Sequence, residues 1–114
     1  MSGPGPRLMS VDSLEDNKVY NHQNESLGEV EEIMINMTDG KVEYAVVEFG
    51  GFLGMGTKYF AVPWQALQLD TNEECFRLNV SKETLEGAEG FDKDNWPNMA
   101  DPAFAARTRA VYGL

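Results

Sequence analysis

The chain has 114 residues, with 19 acidic and 9 basic side chains for a net charge of −10, and 42% of it is hydrophobic. That length holds one small domain, whose folding buries roughly two-thirds of the surface its unfolded chain exposes. Such acidity excludes binding driven by phosphate neutralisation, so neither nucleic acid nor an anionic membrane surface is an expected partner.

No uncharged run approaches a membrane span, and no charged-then-apolar leader opens the chain, so membrane insertion and export are not expected. Cys75 is the lone cysteine, which rules out an internal disulfide and fits a reducing, cytoplasmic compartment. Its residue type reads as a small apolar side chain in or beside a strand. The sequons at Asn24, Asn36 and Asn79 are chance matches if nothing is exported.

Residues 1–15, opening Met-Ser-Gly-Pro-Gly-Pro, read as a flexible leader, residues 16–97 as the folded domain and 98–114 as a helical tail. "NKVYN" (17–21) is a brief strand, and "HQNESLG" (22–28) is polar turn material. "EVEEIMINM" (29–37) alternates through Ile33, Ile35 and Met37, the period of a strand. "TDGK" (38–41) supplies an Asp-Gly hairpin turn. "VEYAVVEF" (42–49) is apolar on both parities in its second half and predicts a strand covered on both faces.

"KYFAV" (58–62) is a further strand, ended by Pro63, which cannot donate to a sheet ladder. "WQAL" (64–67) has the pattern of one helical turn. "CFRLNV" (75–80) predicts Phe76, Leu78 and Val80 inward, with Arg77 and Asn79 outward. Ser81 can cap a short helix, with Glu83 in its first turn and Gly87 at its end. Phe91 and Trp96 are anchoring aromatics in the turn-rich stretch 90–102. Asp101 as cap and Pro102 at the first helical position open a helix to about Tyr112, with Phe104, Arg107, Thr108 and Val111 on one face. Half a dozen short, mostly hairpin-connected strands predict an all-β fold, a small closed or nearly closed barrel with a helical extension.

Between the strands read at 42–49 and 58–62 lies "GGFLGMGTK" (50–58). It has the glycine separation of a phosphate loop, but its order is Thr57-Lys58 and a strand, not a helix, follows, so no helix terminus faces an anion. Gly50, Gly51, Gly54 and Gly56 instead read as a corner, supplying the positive φ and close backbone approach that a wide hairpin or bulge needs. Phe52, Leu53 and Met55 either plug the barrel end or stand outward as a contact patch.

No constellation points to catalysis. "DKDNWP" (92–97) begins like a calcium loop but has Pro97 where glycine is needed, and "DTNEEC" (70–75) has Cys75 there. Both read as solvated acidic turns. His22 is the only histidine, so no zinc set forms around it, and its neighbours Glu25 and Ser26 are ordinary loop residues. No metal or cofactor is expected.

The stretches "SLGEVEEIMINMTDGKVEYAVVEFGGFLGMGTKYFAVPWQAL" (26–67) and "FRLNVSKETLEGAEGFDKDNWP" (76–97) resemble the PRC-barrel domain over roughly Lys18 to Pro97. The glycine corner, "AVPW" and "GFDKDNWP" carry the likeness. The resemblance implies a small all-β barrel, like the cytoplasmic domain of the reaction-centre H subunit and the C-terminal domain of a ribosome-maturation factor. Those barrels serve as assembly modules. This sequence is more similar to small stand-alone bacterial members, since it has neither the H subunit's transmembrane helix nor room for the factor's second barrel. What the resemblance carries over is architecture: the corner glycines, and Pro63 with Trp64.

The functional expectation is a non-catalytic interaction or assembly module, a homodimer in which the tail packs on a partner barrel. Phe52, Leu53, Met55, Trp64, Phe91, Trp96, Phe104, Val111 and Tyr112 exceed what so small a barrel encloses. They should build a second core with the tail or a seam with a protein partner. The alternative is a small-ligand or electron-transfer-associated cofactor site in an apolar pocket between barrel and tail.

Overall fold

The alternating apolar runs become strands of a single curled sheet. A computed structural model describes residues 10–14, 17–50, 57–70 and 72–114. Its strands are β1 (Lys18–Tyr20), β2 (Ser26–Asn36), β3 (Lys41–Phe49), β4 (Lys58–Pro63), β5 (Leu67–Asp70) and β6 (Cys75–Leu78). Three helices accompany them: α1 (Val11–Leu14), α2 (Lys82–Gly87) and α3 (Pro102–Val111). The strand order is β4-β3-β2-β1-β6-β5, with β1 and β6 parallel and every other neighbour antiparallel.

β4 and β5 are opposite edges of this sheet, yet only a single 3-10 turn, Trp64–Ala66, joins them. From Pro63 to Leu67 an extended chain reaches at most about 14 Å. The sheet must therefore curl until its edges nearly meet, which makes it an open half-barrel with an interior. That interior holds Val19, Leu27, Val30, Ala45, Val47, Phe49, Phe60, Val62, Phe76 and Leu78, all buried. Side chains of this size contribute roughly 1.5–3 kcal/mol each when taken from water.

β3 is covered on both sides, as its composition predicts. Ala45, Val47 and Phe49 enter the barrel, whereas Tyr44 joins Ala61 and Phe104 in a second core on the outer face. The caps also form as read. Ser81 Oγ accepts the Thr84 N–H at 3.0 Å at the start of α2, and Asp101 Oδ1 accepts the Ala103 N–H at 3.0 Å at the start of α3. Cys75, Phe76, Leu78 and Val80 are buried while Asn79 is exposed.

Four differences from the sequence reading have physical causes. First, the segment read as a polar turn supplies strand as well: β2 begins at Ser26, and Leu27 is fully buried. The turn itself is wound around buried Asn21, whose Oδ1 accepts the Gln23 and Glu25 N–H groups at 3.0 and 2.9 Å. Second, the alternation Ile33–Ile35–Met37 is broken by a register shift between Met34 and Ile35. Ile33 packs against the barrel core, but Ile35 is 46% and Met37 90% exposed.

Third, β5 is a strand that the polar sequence Leu67-Gln68-Leu69-Asp70 does not announce, because this short edge has neither face fully buried. Fourth, α1 lies within the residues read as leader, and Leu14 reaches the barrel core.

Candidate interaction surface

The tail is built to lie flat. Pro102 starts α3, and its C-terminus closes with Gly113 at φ +73. There the Gly113 N–H reaches the Ala110 carbonyl at 3.3 Å and the Leu114 N–H reaches that of Arg109 at 3.0 Å. This paired closure satisfies carbonyls that a helix end otherwise leaves free. The helix face read from the sequence, Phe104, Arg107, Thr108 and Val111 with Tyr112 beside it, looks onto the chain's own sheet. Phe104 is buried edge-on against Tyr44, ring centres 6.1 Å apart. Of the surplus apolar residues, Phe104 and Phe91 join the second core, Trp64 and Tyr112 pack against the barrel core, and Trp96 is 39% exposed.

Between α3, β4 and residues 88–91 lies a cavity of about 90 Å³. Phe60, Ala61, Phe91, Phe104, Val111 and Tyr112 supply most of its apolar wall. Tyr112 also packs against the barrel core, and burial holds its phenol well above the ordinary tyrosine range.

Phe91 and Trp96 form a brace across the edge of the sheet. Tyr59 and Phe91 exchange two backbone hydrogen bonds, each 2.9 Å, so residue 91 pairs with the outer edge of β4. Their rings meet edge-on at 6.0 Å; Trp96 lies 6.2 Å from Tyr59 and 5.2 Å from Phe91, and its Nε1 donates to the Lys93 carbonyl at 2.7 Å. Glu31, Glu48, Asp94 and Glu32 also bear on Tyr59, whose pKa is raised first by burial and then by these carboxylates.

Trp64 stands apart from this group. It is half-buried, packs against the barrel core and meets Phe76 edge-on at 6.0 Å. Pro63 is the last residue of β4, paired with Tyr44. Of the corner glycines, Gly50 lacks the expected positive φ, and what an added Cβ would meet is a side chain and not backbone, Thr57 Cγ2 at 2.8 Å. Gly51, Phe52, Leu53, Gly54, Met55 and Gly56 lie outside the described residues.

One open apolar feature among the described residues is one that sequence reading missed. Met34, Ile35, Met37, Tyr44, Met99 and Ala105 line a groove of about 510 Å³ between the β2–β3 hairpin end and α3. Its signal is present in "IMINM" (33–37), where apolar residues occupy both parities just before the turn, so no flat strand can bury them all. Among the described residues of the lining Glu43 is the only ionisable one besides Tyr44, and its carboxylate accepts from Asn36 Nδ2 at 2.9 Å.

The residues weighed for chemistry are engaged otherwise. Glu25 accepts from Asn21 Nδ2 at 2.7 Å, and His22 sits in the exposed turn beside it. Burial pushes the Cys75 thiol up, which keeps it protonated and unreactive. Among the described residues no three His, Cys, Asp or Glu side chains are grouped to hold a metal ion. Among the same residues no helix is long and apolar enough to cross a membrane.

No curated protein matches the sequence. The family model of the PRC-barrel domain matches residues 6–85, from before α1 into α2. Residues 90–97, the "GFDKDNWP" brace, fall beyond that match, as does α3. With the match spanning well over half of the chain, and with a curled six-stranded sheet to bear it out, this protein belongs to the PRC-barrel family.

Proposed function

We propose that the protein is a non-catalytic interaction and assembly module of the cytoplasm, and that it self-associates as a homodimer. The observation that carries this reading is the groove at the hairpin end, where Ile35 and Met37 stand 46% and 90% exposed beside Met34 and Met99. Large apolar side chains gathered at one site favour a contact that removes them from water, and methionine adapts its shape to what it meets. The contact proposed here is the groove beside α3 and not the tail on a partner barrel, a choice supported by α3 lying on its own sheet in the single chain. A symmetric pair needs only this one self-complementary patch.

The cavity beneath α3 favours a second reading, a small-ligand site between barrel and tail. Its volume of about 90 Å³ weighs against it, since ligand sites commonly span roughly 300–1,000 Å³. Light scattering at high micromolar protein tests the first reading. A dimer mass that reverts to monomer in the Ile35→Ser/Met37→Ser variant is expected. A monomer mass at every concentration would overturn the homodimer.

A further inference from the structure

We infer that α3 is a displaceable cover, which lifts as a unit about residues 97–101 while the barrel stays folded and thereby joins the cavity beneath it to the groove beside it.

The placement of consecutive side chains makes α3 the dividing wall. Phe104 faces the cavity and Ala105 lines the groove. Tyr44, Met34 and Met99 belong both to the second core and to the groove. Removing the helix would therefore leave one continuous apolar trough over β2, β3 and β4.

What holds the helix down is slight. Of its 10 residues only Phe104 is buried. Phe104 against Tyr44 and, at the helix end, Tyr112 against the barrel core are its apolar anchors. Among the described residues its polar side-chain ties are the Arg107–Glu89 pair at 3.2 Å, with both side chains more than half exposed, and Arg109 to Gln65 at 3.5 Å. Exposed pairs of this kind contribute little and are screened by salt. The cavity removes packing contacts from the buried face, since atoms lining a void have no neighbours on that side.

The attachment is also built to turn. Among the described residues the hydrogen bonds along the linker are internal to it: Asn98 Oδ1 accepts the Ala100 N–H, and the Asn98 backbone carbonyl the Asp101 N–H, each at 3.1 Å. The brace at Phe91 and Trp96 fixes the chain to β4 just before this point. By contrast β3 has four consecutive buried residues, Tyr44 to Val47, and is laddered on both sides. Elements with few buried contacts open below the global unfolding limit, as cooperative units.

Amide hydrogen exchange on the full chain, followed by NMR at neutral pH, tests this. The amides of residues 106–110 should exchange together, at least ~100-fold faster than those of Ala45 to Val47. Ala88→Val and, separately, Thr108→Ile each add bulk to the cavity wall and should slow α3 exchange ~10-fold without changing that of β3. Mid-helix protection equal to that of β3 would overturn the inference. So would a gradient of exchange confined to the last turn, which is end fraying, or fast exchange that neither variant slows. Because a partner covering the groove would also shield α3, the comparison is made at a concentration where light scattering gives the monomer mass.

Discussion

Arg77 Nη1 donates to Asn24 Oδ1 across 2.7 Å, joining β6 to the turn between β1 and β2, and Asn24 holds a left-handed φ of +61 to meet it. The same guanidinium donates to the Asn21 carbonyl at 3.1 Å and to Asp70 Oδ2 at 3.3 Å, and lies 5.7 Å from the centre of the Tyr20 ring. One side chain thus fastens two turns where β1 and β6 run parallel without a tight connection of their own. Hydrogen bonds from a charged donor contribute about 1.5–3 kcal/mol where water is partly excluded. Arg77→Ala should therefore cost about 2–3 kcal/mol in urea unfolding. Arg77→Lys should recover less than half of that, because an ammonium's three donors share one atom and cannot span acceptors that Nε and Nη1 reach separately. A lysine variant as stable as the parent would show that charge alone, not the fork, matters there.

Asp70 gives the same cluster a pH signature. The Glu73 N–H, then Arg77 and the Asn72 N–H, stabilise its carboxylate and hold its pKa below the usual range against an opposing effect of burial. A folded pKa below the unfolded one favours folding at pH values above about 4, and the benefit is lost as pH falls through the folded value. The stability difference between the parent and Asp70→Asn should be constant from about pH 8 to 5 and shrink below about pH 4. Denaturation curves at a series of pH values measure it. A difference that persists unchanged to pH 2 would assign the effect of the substitution to its geometry instead.

Gly28 separates backbone necessity from mere permissiveness. It sits opposite Val19 beside a register shift, with φ +135, and a Cβ there would come within 2.0 Å of the Glu48 carbonyl oxygen. Both its torsion and its neighbour exclude a side chain. Gly40, at φ +74 in the hairpin turn, has nothing within 4 Å of an added Cβ. Gly28→Ala should cost more than about 3 kcal/mol, whereas Gly40→Ala should cost only about 1 kcal/mol from the torsion alone. Equal melting temperatures for the two variants would show that β2 relaxes at its bulge.

Local chemistry made some of this fold readable from the sequence. Asp101 and Pro102 fix where α3 begins, and a run such as Tyr44 to Val47 can bury both parities only between two layers. What escaped prediction depends on distant partners. Nothing local to Gly28 tells that Glu48 will pass so close, and nothing local to Ile33–Met37 reveals the register shift that leaves Ile35 and Met37 in water. Likewise β5 is a strand because β6 pairs with it, not because its residues favour one. The groove inherited that blindness: its lining comes from both strands of a hairpin, a linker and a helix, brought together by pairing that no periodicity encodes.

Charge provides a test of who occupies the groove. Two copies of this chain each carry a net charge of −10, so their approach is opposed at long range while burial of Ile35 and Met37 favours contact. Raising salt from 0.1 to 1 M shortens the screening length from about 10 to about 3 Å. Self-association should therefore tighten severalfold over that range, measured by sedimentation equilibrium. Binding of a basic partner would respond in the opposite sense, because salt screens attraction as well as repulsion. Apolar contact also strengthens modestly at high salt, so Ile35→Ser/Met37→Ser is the needed control: it should abolish the dimer at both ends of the titration. A dimer that weakens as salt rises would place ion pairs, not the hairpin end, at the interface.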